Sequence, residues 1–193
     1  MRALALLAGL ALAGPAAAQE AARAAPVVEA RQCGACHGPD GRSTLPEMPS
    51  LAGQQPDFLV IQLILFREGL RDVPAMAEPA RGLTDAQVED IAAWFAALPS
   101  GPKADRGPRV DALAARGAEV SAARNCNACH GAGYSGRANV PRINHQREDY
   151  LRHALLQYRD GTRVGMDTQM NGVMHGLGDA DIAALAHHLA HAP

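Results

Sequence analysis

The sequence predicts an all-α fold made of two tandem copies of one small domain. Hydrophobic residues make up 48% of the 193 residues but aromatic residues only 4%, and alanine accounts for much of the apolar content. Alanine is the strongest helix former, whereas strands favour aromatic and β-branched residues. The chain shows no convincing alternation of apolar and polar residues, and several short segments occur twice in the same order. These observations favour a duplicated helical domain.

The internal repeat begins with two short cysteine-containing segments and continues through four further pairs of matching segments. The order is the same in both halves, and the spacing differs by only a residue or two. The pairs are 33–37 with 126–130, 49–54 with 141–146, 57–59 with 149–151, 66–71 with 158–163, and 83–88 with 177–182. We therefore predict an N-terminal domain at 19–99 and a C-terminal domain at 109–193. Residues 100–108 are the predicted linker, because they are rich in proline and glycine.

A first helix is expected ahead of the cysteine segment in each copy. In the first copy it runs from about Pro26 to Cys33. In the second copy Pro108 suits the first helical position, because proline lacks the N–H that is unbonded there anyway. The apolar positions that follow helical spacing before Cys126 are Val110, Leu113, Ala114, Gly117 and Val120. Each copy thus begins with a predicted amphipathic helix.

Two further helices are expected in each copy. The middle helices should begin with Asp57 and Asp149 as N-caps and end near glycines. The last helix of the first copy should begin at Thr84, because Thr84 and Gln87 have the spacing of a capping box. Asp179 is the expected N-cap of its counterpart. The order in each copy is therefore helix, cysteine segment, loop, helix, loop, helix.

The first 18 residues are predicted to be a cleaved signal peptide. Arg2 provides a positive start, residues 3–14 are apolar and uncharged, and residues 16–18 are three alanines that suit a cleavage site. The apolar run is shorter than the roughly 20 residues that a spanning helix needs. We therefore expect an exported, periplasmic protein whose mature chain has no transmembrane segment.

All four cysteines lie in two Cys-x-x-Cys-His segments, which are typical of covalent attachment of a c-type haem. A thioredoxin-like pair would need a βαβ pattern, which is missing, and a zinc site would not explain a histidine after each pair. The sequence therefore predicts two covalently bound haems, with His37 and His130 as iron ligands. The predicted attachment residues are Cys33, Cys36, Cys126 and Cys129.

Met76 and Met170 are the predicted ligands on the other side of each haem iron. Each lies seven residues before the leucine that opens the last matching segment, so equivalent loops should present the same atom to the same metal. Met48 has no counterpart in the second copy. Met174 and His175 remain alternatives to Met170.

Histidine and methionine together predict the kind of chemistry. A thioether ligand favours reduced iron and raises the reduction potential, and with both axial positions filled no site is left for peroxide, oxygen or a small substrate. A histidine that ligates a metal usually donates its other ring N–H to an acceptor. The carbonyls of Pro49 and Pro141 are the candidates for that acceptor. We therefore expect an electron carrier and not an enzyme.

The chain resembles class I c-type cytochromes, and specifically the dihaem cytochrome c4 family. The resemblance covers nearly the whole predicted mature chain. It depends on the two Cys-x-x-Cys-His-Gly segments, on Pro-x-Leu-x-Gly-Gln at Pro49, on the aromatic-Arg-x-Gly-x-Arg element at Phe66 and Tyr158, and on a methionine before a Leu-x-Asp helix. It implies two tandem class I cytochrome c domains related by a pseudo-twofold axis, each built around one covalent haem. It also implies a periplasmic electron carrier.

The second copy departs from this pattern at two positions. His145 replaces the glycine of the Pro-x-Leu-x-Gly-Gln element, and His188 takes the position of Trp94. All histidines outside the haem motifs lie in this copy, namely His145, His153, His175, His187, His188 and His191. They suggest a third metal site as an alternative to ordinary surface and helix-end positions.

Charge limits the classes of partner. With 18 basic and 20 acidic side chains the net charge is −2, which argues against a nucleic-acid binder. Residues 19–100 carry a net charge of −5 and residues 101–193 a net charge of +2. Such a dipole orients encounters with charged partners, and the two halves are expected to face different ones.

Three functions remain open from the sequence. The first is a one-electron shuttle between redox proteins, such as a quinol-oxidising complex and a membrane-bound terminal oxidase. The second is the electron-accepting cytochrome subunit of a flavoprotein dehydrogenase, as in flavocytochrome c sulfide dehydrogenase. The third is an enzyme such as a dihaem peroxidase or a thiosulfate oxidoreductase, which two methionine ligands argue against.

Overall fold

The computed structural model describes residues 25–101, 107–163 and 168–193. Over these residues the regular structure is helical, with one isolated antiparallel bridge between Arg137 and Val140. The predicted all-α fold is therefore confirmed. The predicted signal peptide lies outside the described residues, as does most of the predicted linker.

The two halves follow the same order of helices. The first half contains residues 25–30 (α1), Cys33–His37 (α2), Pro56–Arg67 (α3), Pro74–Ala80 (α4) and Asp85–Ala97 (α5). The second contains Asp111–Ala123 (α6), Cys126–His130 (α7), Glu148–Arg159 (α8), Thr168–Met174 (α9) and Asp179–Ala190 (α10). The short helices α4 and α9 occupy segments that the sequence analysis expected to be loops.

Each half has its own hydrophobic core. In the first, α3 packs against α5 around Leu59, Val88 and Phe95. In the second, α10 packs against both α8 and α6 around Leu155 and Leu185. Because each core forms within one half, the repeat in the sequence corresponds to two separately packed domains.

Several predicted helix starts are wrong by one to three residues. The capping box of Thr84 and Gln87 is confirmed. Asp57 and Asp149 instead lie inside the first turns of α3 and α8, and Gly178, not Asp179, is the N-cap of α10. An acidic residue in the first turn stabilises a helix through its interaction with the helix dipole, nearly as much as an N-cap residue does. The sequence alone therefore distinguishes poorly between an N-cap and a first-turn position.

The start of α6 is also wrong, since this helix begins at Asp111 and not at Pro108. Residues before it are held by the end of α10, where the Val110 N–H donates to Nε2 of His187 at 2.8 Å. The buried side of α6 consists of Ala114, Gly117, Val120 and Ser121, whereas Val110 and Leu113 are exposed. A Cβ on Gly117 would meet the Ala184 carbonyl oxygen at 2.1 Å, so glycine is required where α6 crosses α10.

An arginine in each domain connects the ends of the methionine-bearing segment. Arg67, at the end of α3, donates to the Leu83 carbonyl at 3.0 Å, and Arg159, at the end of α8, donates to the Leu177 carbonyl at 3.3 Å. Each arginine therefore joins the end of its middle helix to a residue just before its last helix.

No helix in the described ranges combines the length and apolar character needed to cross a membrane.

Candidate functional site

The two Cys-x-x-Cys-His segments form short helical turns, separated from the preceding helix by a residue in the left-handed conformation. That residue is Gln32 (φ 53°) in the first domain and Asn125 (φ 55°) in the second. After the first segment, Gly38 has φ +85°, and a Cβ there would lie 2.3 Å from the Arg42 carbonyl oxygen. The backbone therefore isolates each segment as a compact turn that carries its two cysteines.

No disulfide joins the four cysteines, in spite of their close spacing. Cys36 and Cys129 are exposed, whereas Cys33 and Cys126 are half-buried. Before any group is attached to them, burial raises the pKa of both the Cys33 and the Cys126 thiol. The exposed and half-buried thiols lie where a covalently attached group could reach them from the domain interior.

Each histidine of the two segments is buried and held by one proline carbonyl. Nδ1 of His37 lies 2.9 Å from the Pro49 oxygen, and Nδ1 of His130 lies 2.9 Å from the Pro141 oxygen. Since a carbonyl can only accept, Nδ1 carries the proton and Nε2 keeps its lone pair in each ring. Burial lowers the pKa of His37, so this ring is neutral at pH 7. In this tautomer Nε2 is the ring nitrogen of each histidine that could bind a metal.

The predicted ligands of each domain line a common pocket. In the first domain Cys33, His37 and Met76 line one pocket, and in the second Cys126, His130 and Met170 line another. A third cavity of about 1460 Å³, including its opening to solvent, lies between the domains. Both histidines and both methionines reach it: His37, Met76, His130 and Met170.

The alternative methionines lie in different surroundings. Met174 is 1% exposed and packs in the core of the second domain, although it lines the same pocket as Met170. Met170 reaches both that pocket and the cavity between the domains, and His175 is exposed. Met48 lines the shared cavity from the loop before Pro49.

Two arginines and a tyrosine on the cavity wall were not singled out from the sequence. Arg71 lies over the Phe66 ring at 4.7 Å, and Arg163 lies over the Tyr158 ring at 4.9 Å. Burial alone would raise the pKa of Tyr150, but the charges of Arg163 and Arg71 lower it to about 8. The signal was present in the aromatic-Arg-x-Gly-x-Arg element, whose final arginine occurs in both copies.

The residues around the cavity fit a haem in each domain. The walls pair a neutral histidine with a thioether and are otherwise largely apolar. Nη1 of Arg163 is buried and has no hydrogen-bond partner among the described residues. An unpaired guanidinium nitrogen beside an apolar pocket fits an acidic substituent of the ligand, such as a haem propionate.

A separate cluster near the end of α10 contains Glu148, His187 and His191, whose ligating atoms lie within 4.8 Å of one another. Nε2 of His187 accepts from the Val110 N–H, so the ring proton is on Nδ1, which lies 2.8 Å from the Glu148 carboxylate. A neutral imidazole has only one lone pair, and here it is used. The hydrogen bonds of His187 therefore argue against a metal at this cluster.

Comparisons with known proteins show the family to which the chain belongs. The family model for cytochrome c matches residues 21–99 and again residues 114–193. Cytochrome c4 of Thiocapsa roseopersicina is 36% identical over 167 residues, which cover 81% of this chain and 85% of that protein. A thiosulfate dehydrogenase electron acceptor of Thiomonas intermedia is 33% identical over 91% of this chain and 85% of its own length. The crystal structure of reduced cytochrome c4 from Pseudomonas stutzeri matches with a TM-score of 0.76 and 30% identity, over 92% of this chain and 98% of that one.

Proposed function

Because the chain belongs to the cytochrome c4 family and carries two cytochrome c domains, each with a covalently bound c-type haem, we propose that it is a periplasmic one-electron shuttle. Its donor and acceptor are redox proteins of a respiratory chain, such as a quinol-oxidising complex and a terminal oxidase. The haem irons supply the one-electron exchange between the ferric and ferrous states.

The observation that carries this proposal is the duplicated histidine and methionine pair. His37 and Met76 would hold the haem iron in the first domain, and His130 and Met170 would hold it in the second. The carbonyls of Pro49 and Pro141 hold the two imidazoles by accepting from Nδ1 at 2.9 Å. With both a histidine and a methionine bound, the iron would have no position left for a substrate, and the thioether would raise its reduction potential. Both consequences favour electron transfer over catalysis.

Covalent attachment is assigned to the four cysteines of the two segments. Cys33 and Cys126 are half-buried, whereas Cys36 and Cys129 are exposed, so each pair spans from the pocket to the surface. One edge of each haem would then lie at the surface of its domain. An exposed edge provides a short path for electrons to and from a docked partner.

The buried polar groups of the interior suit a charged cofactor. Arg71 and Arg163 both line the cavity between the domains, where they would neutralise acidic substituents of the two haems. The remaining walls are largely apolar, so they would limit the access of water to the two irons.

A second candidate function is supported by one of the relatives. The Thiomonas intermedia protein is named an electron acceptor of thiosulfate dehydrogenase and is 33% identical to this chain. In this second function the protein would accept electrons from a dehydrogenase. The sequence also suggested a similar alternative, with a flavoprotein dehydrogenase as the partner. The two candidates share the same haem chemistry and differ only in whether the partner is bound transiently or permanently.

The test is a redox titration of the purified holoprotein together with carbon monoxide addition. We expect a mass increase corresponding to two haems per chain, two one-electron steps, and no carbon monoxide uptake by the reduced protein. Rapid oxidation of the reduced protein by a terminal oxidase would support the shuttle. One haem per chain, or carbon monoxide binding at both irons, would overturn it. Copurification with a dehydrogenase at a 1:1 ratio would replace it with the second candidate.

A further inference from the structure

The two domains are joined by a pair of buried glutamines, Gln54 and Gln146, which we call the glutamine clasp. Gln54 of the first domain accepts from the Arg142 N–H at 2.7 Å and donates to the Arg142 carbonyl at 3.0 Å. Gln146 of the second domain accepts from the Ser50 N–H at 2.8 Å and donates to the Ser50 carbonyl at 2.8 Å. Each glutamine therefore binds one backbone residue of the other domain through both its N–H and its carbonyl.

Each glutamine side chain is also fixed by a hydrogen bond within its own domain. Oε1 of Gln54 also accepts from the N–H of Gln55, and Oε1 of Gln146 from the N–H of Arg147, each at 3.0 Å. The two side chains are 6% and 7% exposed, so water competes little for these bonds. A buried amide whose oxygen accepts two hydrogen bonds is sensitive to changes in its partners.

The peptide units that receive the clasp are the ones that hold the two histidines. The Pro49 carbonyl and the Ser50 N–H belong to one peptide unit. Its carbonyl accepts from Nδ1 of His37, and its N–H donates to Gln146. Pro141 and Arg142 form the equivalent unit, whose carbonyl accepts from His130. A chain of two hydrogen bonds across one peptide unit thus links each histidine to a glutamine of the other domain.

We propose that Gln54 and Gln146 are positioning residues through which each domain tunes the histidine ligand of the other domain's haem. The proposal rests on the function proposed above, in which His37 and His130 bind iron. An N–H that donates to a glutamine oxygen polarises its peptide unit and makes the attached carbonyl a stronger acceptor. A stronger acceptor at Nδ1 makes the imidazole a better ligand for ferric iron. The clasp therefore lowers the potential of each haem while the domains are docked.

The simpler alternative is that the clasp only fastens the domains together. The neighbouring residues provide a matched control for this alternative. Nε2 of Gln55 donates to the Ser135 carbonyl at 2.9 Å, and Arg147 donates to the Ser43 carbonyl at 3.2 Å. These bonds also cross between the domains, but they do not touch the peptide units that hold the histidines.

The test compares Gln146→Met, Gln54→Met and the control Gln55→Met in the holoprotein. The two haems are followed separately by NMR during a redox titration. We expect Gln146→Met to raise the potential of the first domain's haem, and Gln54→Met that of the second. A threefold change in the reduction equilibrium corresponds to about 28 mV for one electron. Gln55→Met should leave both potentials unchanged.

A second measurement separates tuning from a loss of docking. In the reduced protein the Nδ1 proton resonance of His37 should move upfield in Gln146→Met, since its hydrogen bond weakens. Gln146→Glu keeps an acceptor and makes it stronger, so it should move the same resonance downfield. A role limited to fastening the domains predicts no such opposite shifts.

The inference would be overturned if the reduction potential shifted only for the haem of the mutated domain. Equal shifts of both potentials, or no shift of either, would also overturn it. A wild-type protein with two haems, two one-electron steps and no carbon monoxide uptake would keep the proposed function even then. If the wild type lacks these properties, the proposed function fails independently of the clasp.

Discussion

The two domains pack different side chains beside the same Cys-x-x-Cys-His turn. In the first domain, Phe95 on α5 lies edge-on against His37, with ring centroids 6.4 Å apart, and against Trp94 at 4.7 Å. In the second domain His188 takes the place of Trp94, and its Nε2 lies 3.0 Å from the Tyr134 hydroxyl. An apolar aromatic cluster in one copy corresponds to a hydrogen-bonded polar cluster in the other.

This difference shows which parts of the repeat are constrained by the cavity. The histidine, its proline acceptor, the methionine and the final arginine of the aromatic element occur in both copies. Away from the cavity, the second domain replaces aromatic packing by a chain from Ser121 through Tyr134 to His188, with bonds of 2.8 and 3.0 Å. A buried polar group is tolerated when its hydrogen bonds are satisfied, so both solutions support the same fold.

The largest expected effect tests whether the two domains use equivalent methionines. Met76→Leu and Met170→Leu should each remove one sulfur ligand and lower the potential of one haem, by a sizeable part of the ~0.8 V range that axial ligands control. Each reduced variant should then bind one carbon monoxide per chain, which visible spectroscopy measures.

Met174→Leu is the control for this comparison. Met174 is buried in the core, and a change of similar volume there costs less than about 1.5 kcal/mol. The variant should bind no carbon monoxide. If Met174→Leu bound it and Met170→Leu did not, the second domain would use a different ligand position from the first.

A smaller effect is expected from the polar cluster of the second domain. Tyr134→Phe removes the hydroxyl between buried Ser121 and half-buried His188, and the loss of these two hydrogen bonds should cost about 1–3 kcal/mol. The free energy of unfolding in guanidinium chloride measures this loss. Ser121→Ala combined with Tyr134→Phe should cost less than the sum of the two single changes, because they share one hydrogen bond. Strict additivity would show that the cluster does not act as a unit.

The smallest effect is expected where the two copies differ in backbone preference. His145 has φ 57°, and its counterpart Gly53 has φ 63°, so both lie in the left-handed region that favours glycine. His145→Gly should stabilise the second domain by about 1 kcal/mol, since a side chain is strained there. Thermal unfolding followed by circular dichroism would detect the change.

A substitution of the equivalent glycine in the first domain, Gly53→Ala, provides the control. Gly53→Ala would bring a Cβ to 2.6 Å from the Ser100 Cβ, in addition to straining the backbone. It should therefore destabilise the first domain. A destabilising effect of His145→Gly would show that contacts of the imidazole outweigh its backbone strain.

Sequence reasoning was most accurate where the chemistry is local. The capping box at Thr84 and the repeat itself were predicted correctly, because each depends on residues within a few positions or on direct similarity between segments. The helix starts at Asp57, Pro108 and Asp149 were predicted incorrectly, because an acidic residue or a proline near a helix start is compatible with several neighbouring boundaries. The short helices around Met76 and Met170 were missed, since neither is long enough to show a periodic pattern.

The sequence by itself determined the two haem attachment segments, the duplicated helical domain and the candidate iron ligands, because short spacings in the chain specify local chemistry. Only the tertiary structure decided how the domains meet. Gln54 and Arg142 are 88 residues apart, as Ser50 and Gln146 are 96 apart, and no local pattern predicts that they touch. Such contacts form only when two folded domains dock. The residues that determine the docking are spread over the surfaces of both domains and not gathered in one segment of the chain.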